Sequence, residues 1–227
     1  MGSFAALFAL ALPMSAASAL FAEPAMTLPT SARGNEPGWS VTLDSGLMVF
    51  QMMDGTRIDV TMPKVEAVEG GKKFSANLAV TLTPVLCHDT MSGMPHPMTA
   101  VVETGGQVLN GCAGSPGDLL SGEWTVTAIG ADKVADPVLV TLGFDPATGG
   151  VHGSSGCNRF FGGFTLTGEG LSFGQGLGGT MMMCEDAQMK VERSFLDTMP
   201  KVTGFDIDAD GNLVLKAGGD AVIAAKR

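Results

Sequence analysis

The 227-residue sequence contains no tyrosine and only three histidines, His88, His96 and His152. The side chains that most often move protons in catalysis are therefore scarce, and no G-x-S-x-G string marks a nucleophile elbow. Positive charge is short as well: Lys and Arg total 13 against 23 Asp and Glu, for a net charge of −10. That balance excludes a phosphate-binding surface, so no nucleic acid is expected as a partner. There is no C-x-x-C pair, and the adjacent Cys87 and His88 are poorly placed to share one ion, which argues against zinc. The pairs Gly149-Gly150, Gly162-Gly163 and Gly178-Gly179 lack the strand-to-helix context of a phosphate cradle. No cofactor is expected.

What is present favours β structure. Hydrophobic residues make up 45% of the chain and glycines number 32, while Val, Thr and Phe recur in short runs. The length allows one or two domains with a real core.

Residues 1–22 read as a signal peptide. Phe4 to Leu12 is apolar, Pro13 breaks the run, and Ala17-Ser18-Ala19 forms an A-x-A cleavage signal, with Ala22 as a second site. The apolar run is too short to span a bilayer comfortably, and no basic residue precedes it. No cysteine near the cleavage site suggests a lipid anchor, so the expected location is periplasmic or secreted, with no membrane span after processing.

Residues 23–37 carry three prolines and read as a loose leader. Strands are then predicted at Gly38–Leu43, Leu47–Met52, Arg57–Met62, Phe74–Leu82, Met98–Glu103 and Gln107–Leu109, with Asp44-Ser45-Gly46 and Asp54-Gly55 as hairpin turns. The turn-rich Ser115-Pro116-Gly117-Asp118 separates an N-terminal β module, residues 23–117, from a second domain, 118–227. There, strands are predicted at Glu123–Ile129, Val138–Phe144, Gly150–Gly156, Phe160–Leu166, Leu171–Phe173, Gly179–Met183, Phe205–Ile207, Leu213–Leu215 and Val222–Ala224. One convincing helix is expected over Asp186–Met199, with Val191, Phe195 and Met199 on one face and Pro200 as its stop.

Four cysteines in an exported chain read as two disulfides, for which three connectivities exist. Position favours Cys87 with Cys112 and Cys157 with Cys184, one bridge per module. Each would stabilise by roughly 3–4 kcal/mol on the loop-entropy model.

Residues 119–227 resemble the META domain, the HslJ-like family of bacterial envelope proteins. The resemblance rests on Gly122-Glu123-Trp124, on Gly153-x-x-Gly156-Cys157-Asn158-Arg159-Phe160-x-Gly162, and on Thr180-Met181-Met182-Met183-Cys184. Glu192 with Phe195-Leu196, and the pair Leu213 and Leu215, also match. Residues 33–114 are similar to the short β module that often precedes META domains in exported proteobacterial proteins. Here the carriers are Arg33-Gly34-Asn35-Glu36-Pro37-x-Trp39, Cys87-x-Asp89-x-Met91-Ser92-Gly93, Pro97 and Gly111-Cys112-x-Gly114. Gly38 and His96 stand where that module usually has aromatic residues. The resemblance implies antiparallel strands curled into a barrel-like shape against one helix. It also implies an envelope role, linked in the family to stress response, without established catalysis.

The remaining candidates are weighed on their residues. Gly156 and Asn158 suit a turn after Cys157, and Arg159 is expected to pair with a carboxylate or to meet an acidic group on a partner. Met91, Met94, His96 and Met98 fall within eight residues and form the alternative reading, a soft copper site. Met181–Met183 are placed in a strand, whose alternation would keep all three from sharing an ion. His152 and Ser154 share a strand face, yet nothing orders the imidazole. Asp206, Asp208 and Asp210 hint at a calcium loop, but position 217 is alanine where a glutamate is required, leaving a turn. The expectation is therefore a non-catalytic exported β protein, a periplasmic binding or envelope-maintenance module with an unidentified partner.

Overall fold

The computed structural model describes residues 26–174 and 176–227; the predicted signal peptide lies outside them. The chain is mainly β. Its first half contains β1 (Thr30–Asn35), β2 (Gly38–Leu43), β3 (Leu47–Met52), β4 (Arg57–Thr61), β5 (Val65–Val68), β6 (Gly71–Ser75), β7 (Ala79–Thr83), the short pair β8 (Cys87–His88) and β9 (Pro95–His96), β10 (Met98–Thr104) and β11 (Gln107–Ala113). Apart from β8 and β9, these form one antiparallel sheet in the order β4-β3-β2-β1-β11-β10-β7-β6-β5. The two edges, β4 and β5, are joined by only Met62, Pro63 and Lys64. So short a link holds those edges close together at that end, which curls the sheet on itself. Alternation supplies the interior: Trp39, Val41 and Leu43 of β2 face in, as do Val80 and Leu82 of β7, with Ser40 and Thr42 outside.

After β11 comes α1 (Pro116–Leu120), capped by the Ser115 hydroxyl, which accepts from the Gly117 N–H at 3.1 Å. The second half continues with β12 (Gly122–Ile129), β13 (Asp132–Lys133), β14 (Val140–Asp145), β15 (Gly150–Ser155), β16 (Arg159–Leu166), β17 (Leu171–Phe173) and β18 (Gly178–Gly179). Then follow α2 (Asp186–Thr198), a 3-10 turn at Met199–Lys201, β19 (Gly204–Ile207), β20 (Leu213–Ala217) and β21 (Asp220–Lys226). The sheet order is β17-β16-β15-β14-β12-β21-β20-β19, with β13 beside β12 and β18 beside β16. The Leu171 N–H donates to the Thr203 carbonyl at 3.1 Å, so the two ends nearly close a barrel. Trp124, Leu142, Leu213 and Leu215 fill it. Helix α2 covers the core with Phe195, and the 3-10 turn after it adds Met199, both fully buried. The Phe195 ring lies 5.3 Å from that of Phe160.

Several sequence expectations need correction. The supposed loose leader contains β1, because its prolines flank a six-residue strand rather than interrupt it. Phe74–Leu82 is a hairpin of β6 and β7, turning where Ala76 bonds to Leu78, without the glycine that usually signals a turn. β5 went unrecognised because it is exposed throughout and shows no alternation. Ser115–Asp118, read as turn, starts α1. The strand expected over Gly179–Met183 shrinks to Gly178–Gly179.

The two halves touch through the β8–β9 hairpin. Met94, between those strands, is buried in the core of the second half. His88 Nε2 lies 2.8 Å from Asp206 Oδ1, whose other oxygen accepts from Lys216 Nζ at 2.7 Å.

Candidate functional site

Two places gather the motif residues, one in each half. In the first, Trp39 packs on the backbone of β1 and β11. A β-carbon at Gly34 or Gly111 would collide with the indole, so both glycines are required by its approach. Next to it, the Asp89 carboxylate organises the loop between β8 and β9. Its Oδ1 accepts from the N–H groups of Met91 at 3.0 Å and Ser92 at 2.9 Å and from the Ser92 hydroxyl at 3.0 Å. Its Oδ2 accepts from Asn35 Nδ2 at 3.1 Å, which ties the two motif strings of this half together. Gly93 closes the turn at φ +70°. Burial pushes the Asp89 carboxyl up, but these hydrogen bonds outweigh it and bring it down to about 2. A depressed carboxylate stabilises the fold fully above its unfolded pKa of about 3.9, and that gain disappears as pH falls towards 2. Asp89→Ala is expected to cost about 1–2 kcal/mol at neutral pH. In urea titrations the deficit should shrink below pH 4.

The residues of the copper alternative lie in different surroundings. Met91 is exposed, Met94 lies in the core of the second half, and Met98 packs against the core of the first. The backbone of a tight loop flanked by strands sends the three thioethers into different surroundings, so they do not converge. His96 is buried, and its Nδ1 stands 2.8 Å from the Gly114 carbonyl. Burial pushes its pKa down, which keeps the ring neutral. Among the described residues no group of three His, Cys, Asp or Glu side chains could hold a metal ion.

The second place is built around Glu192. Helix α2 carries this acid on its apolar face, one turn before Phe195, and only 7% of it is exposed. The Ser155 hydroxyl donates to its carboxylate. The Asn158 N–H donates at 2.8 Å and Asn158 Nδ2 at 3.0 Å. Burial pushes the Glu192 carboxyl up, but hydrogen bonds from Ser155, Asn158 and the Cys157 N–H hold it below its ordinary value. Asn158 also reaches the other way. Its Oδ1 accepts from Thr180 Oγ1 at 2.8 Å and from the Met182 N–H at 2.7 Å, while its Nδ2 donates to the Met182 carbonyl at 3.1 Å. One amide thus replaces a sheet partner for the Thr180–Cys184 segment, which explains why Met181–Met183 form no strand.

Gly156, at φ +114°, makes the turn that brings Cys157 to Cys184; their disulfide closes the arrangement. A second disulfide joins Cys87 to Cys112. Arg159 does not find the carboxylate expected for it: among the described residues its side chain makes no ion pair, and it stays exposed. Around it, Phe161 is 65% exposed and Met181, Met182 and Met183 are 100%, 54% and 94% exposed.

The other candidates resolve into surface structure. His152 turns its Nε2 to Glu123, 2.9 Å away, and Ser154 Oγ accepts from the Gly156 N–H. Asp208 accepts from the N–H groups of Asp210 and Asn212, an ordinary turn between β19 and β20. Glu192 was not singled out as a site from sequence. Its signal was present, since an acid three residues before Phe195 on an apolar stripe demands buried partners.

Comparison with known proteins agrees with the second half of this layout. The family model described as META domain matches residues 117–227. No curated protein matches. Among solved structures, an NMR structure of a protein from Burkholderia xenovorans is 29% identical, covering 49% of this chain and 85% of its own, at a TM-score of 0.40.

Proposed function

We infer, for a protein whose residues 117–227 are a META domain, that it acts as a non-catalytic binding module of the cell envelope. The carrying observation is how the motif residues are used. Ser155, Asn158 and Glu192 saturate one another, which spends the polar groups of the motif on holding a loop. Within the Gly153–Gly162 string, the charged side chain left outside is Arg159, beside exposed Phe161 and the three methionines. A guanidinium next to an apolar rim suits a protein partner that offers a carboxylate bordered by apolar side chains. The two disulfides fit an oxidising compartment, and no helix among the described residues is long and apolar enough to cross a membrane. Export to the periplasm and service in envelope maintenance or stress are the roles this surface would serve.

The test places a photo-crosslinking amino acid at position 161, with position 108 of the first half as control, in cells that produce the protein. A discrete adduct is expected at 161 alone and should vanish with Arg159→Glu. Equal adducts at both positions, or none at either, would sink the proposal.

A further inference from the structure

We propose that the Thr180–Cys184 loop is a methionine-oxidation site, with Met181 and Met183 as its reactive sulfurs and two-electron oxidants of the hypochlorous acid class as its reactants. The inference stands on surface chemistry and does not depend on the partner proposed above.

The argument begins with what else could react. Thiols would be the preferred targets, but all four cysteines are held in disulfides. Tyrosine is absent, and the two tryptophans, Trp39 and Trp124, are 4% and 2% exposed. The reduced sulfur open to solvent is therefore thioether. Met181 and Met183 are 100% and 94% exposed, whereas Met48, Met94 and Met199 are 0%, 4% and 0% exposed. Elsewhere Met53 and Met91 stand out singly, at 89% and 81%. Among the described residues, only here are two such side chains two residues apart.

The loop is also built so that oxidation leaves the fold alone. Its backbone is clamped by Asn158 through the N–H and carbonyl of Met182, and its end is tied by Cys184. None of those bonds involves a thioether. In the reaction the methionine sulfur gives up two electrons, the chlorine of hypochlorous acid takes them and leaves as chloride, and the oxygen becomes bonded to sulfur. One proton is released. The product sulfoxide is polar, so the apolar rim beside Arg159 becomes hydrophilic while the core beneath stays packed.

The experiment titrates the full chain with sub-stoichiometric hypochlorous acid and maps sulfoxide by peptide mass spectrometry. Met181 and Met183 should oxidise at least about tenfold faster than Met48, Met94 and Met199 and no slower than Met53 or Met91. Thermal unfolding of the product should match that of the untreated protein. The double variant Met181→Leu, Met183→Leu should consume about two equivalents less before the core methionines react. Core oxidation in step with the loop, a clear lag behind Met53 and Met91, or a lowered melting temperature would each overturn the proposal.

Discussion

Glu192→Ala is expected to destabilise the protein by about 3–5 kcal/mol at neutral pH, because it strands several buried donors at once. The Ser155 hydroxyl, the Asn158 N–H and the Asn158 side-chain amide all converge on this carboxylate. Each donor left unpaired costs about 1–3 kcal/mol, and some relief comes as the turn relaxes. The loss reaches further than the helix, since Asn158 is also what holds Thr180 and Met182. Glu192→Gln keeps the shape but turns an amide N–H₂ towards groups that also donate, so a smaller loss, about 1–3 kcal/mol, is expected. The pH dependence separates the two causes. The folded-state pKa of Glu192 is lowered, so its contribution is complete above the unfolded value near 4.5 and is lost as pH falls through the folded one. The stability gap between the native protein and Glu192→Gln, read from denaturant melts, should therefore narrow as pH drops below about 4.5. A gap that stays constant from pH 7 to pH 3 would show that the charge is not what matters.

The second large effect is predicted for Met94→Ala. Met94 belongs to the first half by chain and by tether: its loop is fixed through Asp89 to Asn35, and the strand before it is bridged from Cys87 to Cys112. Its side chain, 4% exposed, nevertheless sits in the core of the second half. Truncation leaves a void there worth about 2–5 kcal/mol. The loss should appear as lost coupling between the halves. We expect one calorimetric transition for the native protein and two for Met94→Ala. Met98→Ala, which touches the first core alone, should lower stability without splitting the transition. Two transitions in the native protein, or none split by Met94→Ala, would contradict this.

Much of the fold was legible because local chemistry and global pattern agree. Asp44-Ser45-Gly46 and Asp54-Gly55 turn between strands as their residues demand, and α2 starts at Asp186 and gives way to a tighter turn ahead of Pro200. The Gly156-Cys157-Asn158 string lies beside Glu192 in the second site, though Glu192 itself did not stand out. What escaped was decided by distant partners. No window around Met181–Met183 reveals that an asparagine side chain more than twenty residues away has taken the backbone bonds a strand would need. Nor do the four closely spaced residues Met91, Met94, His96 and Met98 announce that a tight loop divides them between solvent and two cores. Exposed β5 lacks the alternation by which strands are recognised, because both of its faces meet water.

The register of the strands also imposes an order in time. In the first half β1 pairs with β11, so that sheet is complete once residue 113 has appeared. In the second, β12 pairs with β21, and its sheet must wait for Asp220–Lys226. A chain that emerges from its N-terminus can therefore finish one half while the other is still unfolded. During that interval Met94 projects from a finished module with nothing to receive it. The second half then closes around a feature that was already in place, so the first module templates the second as well as supporting it.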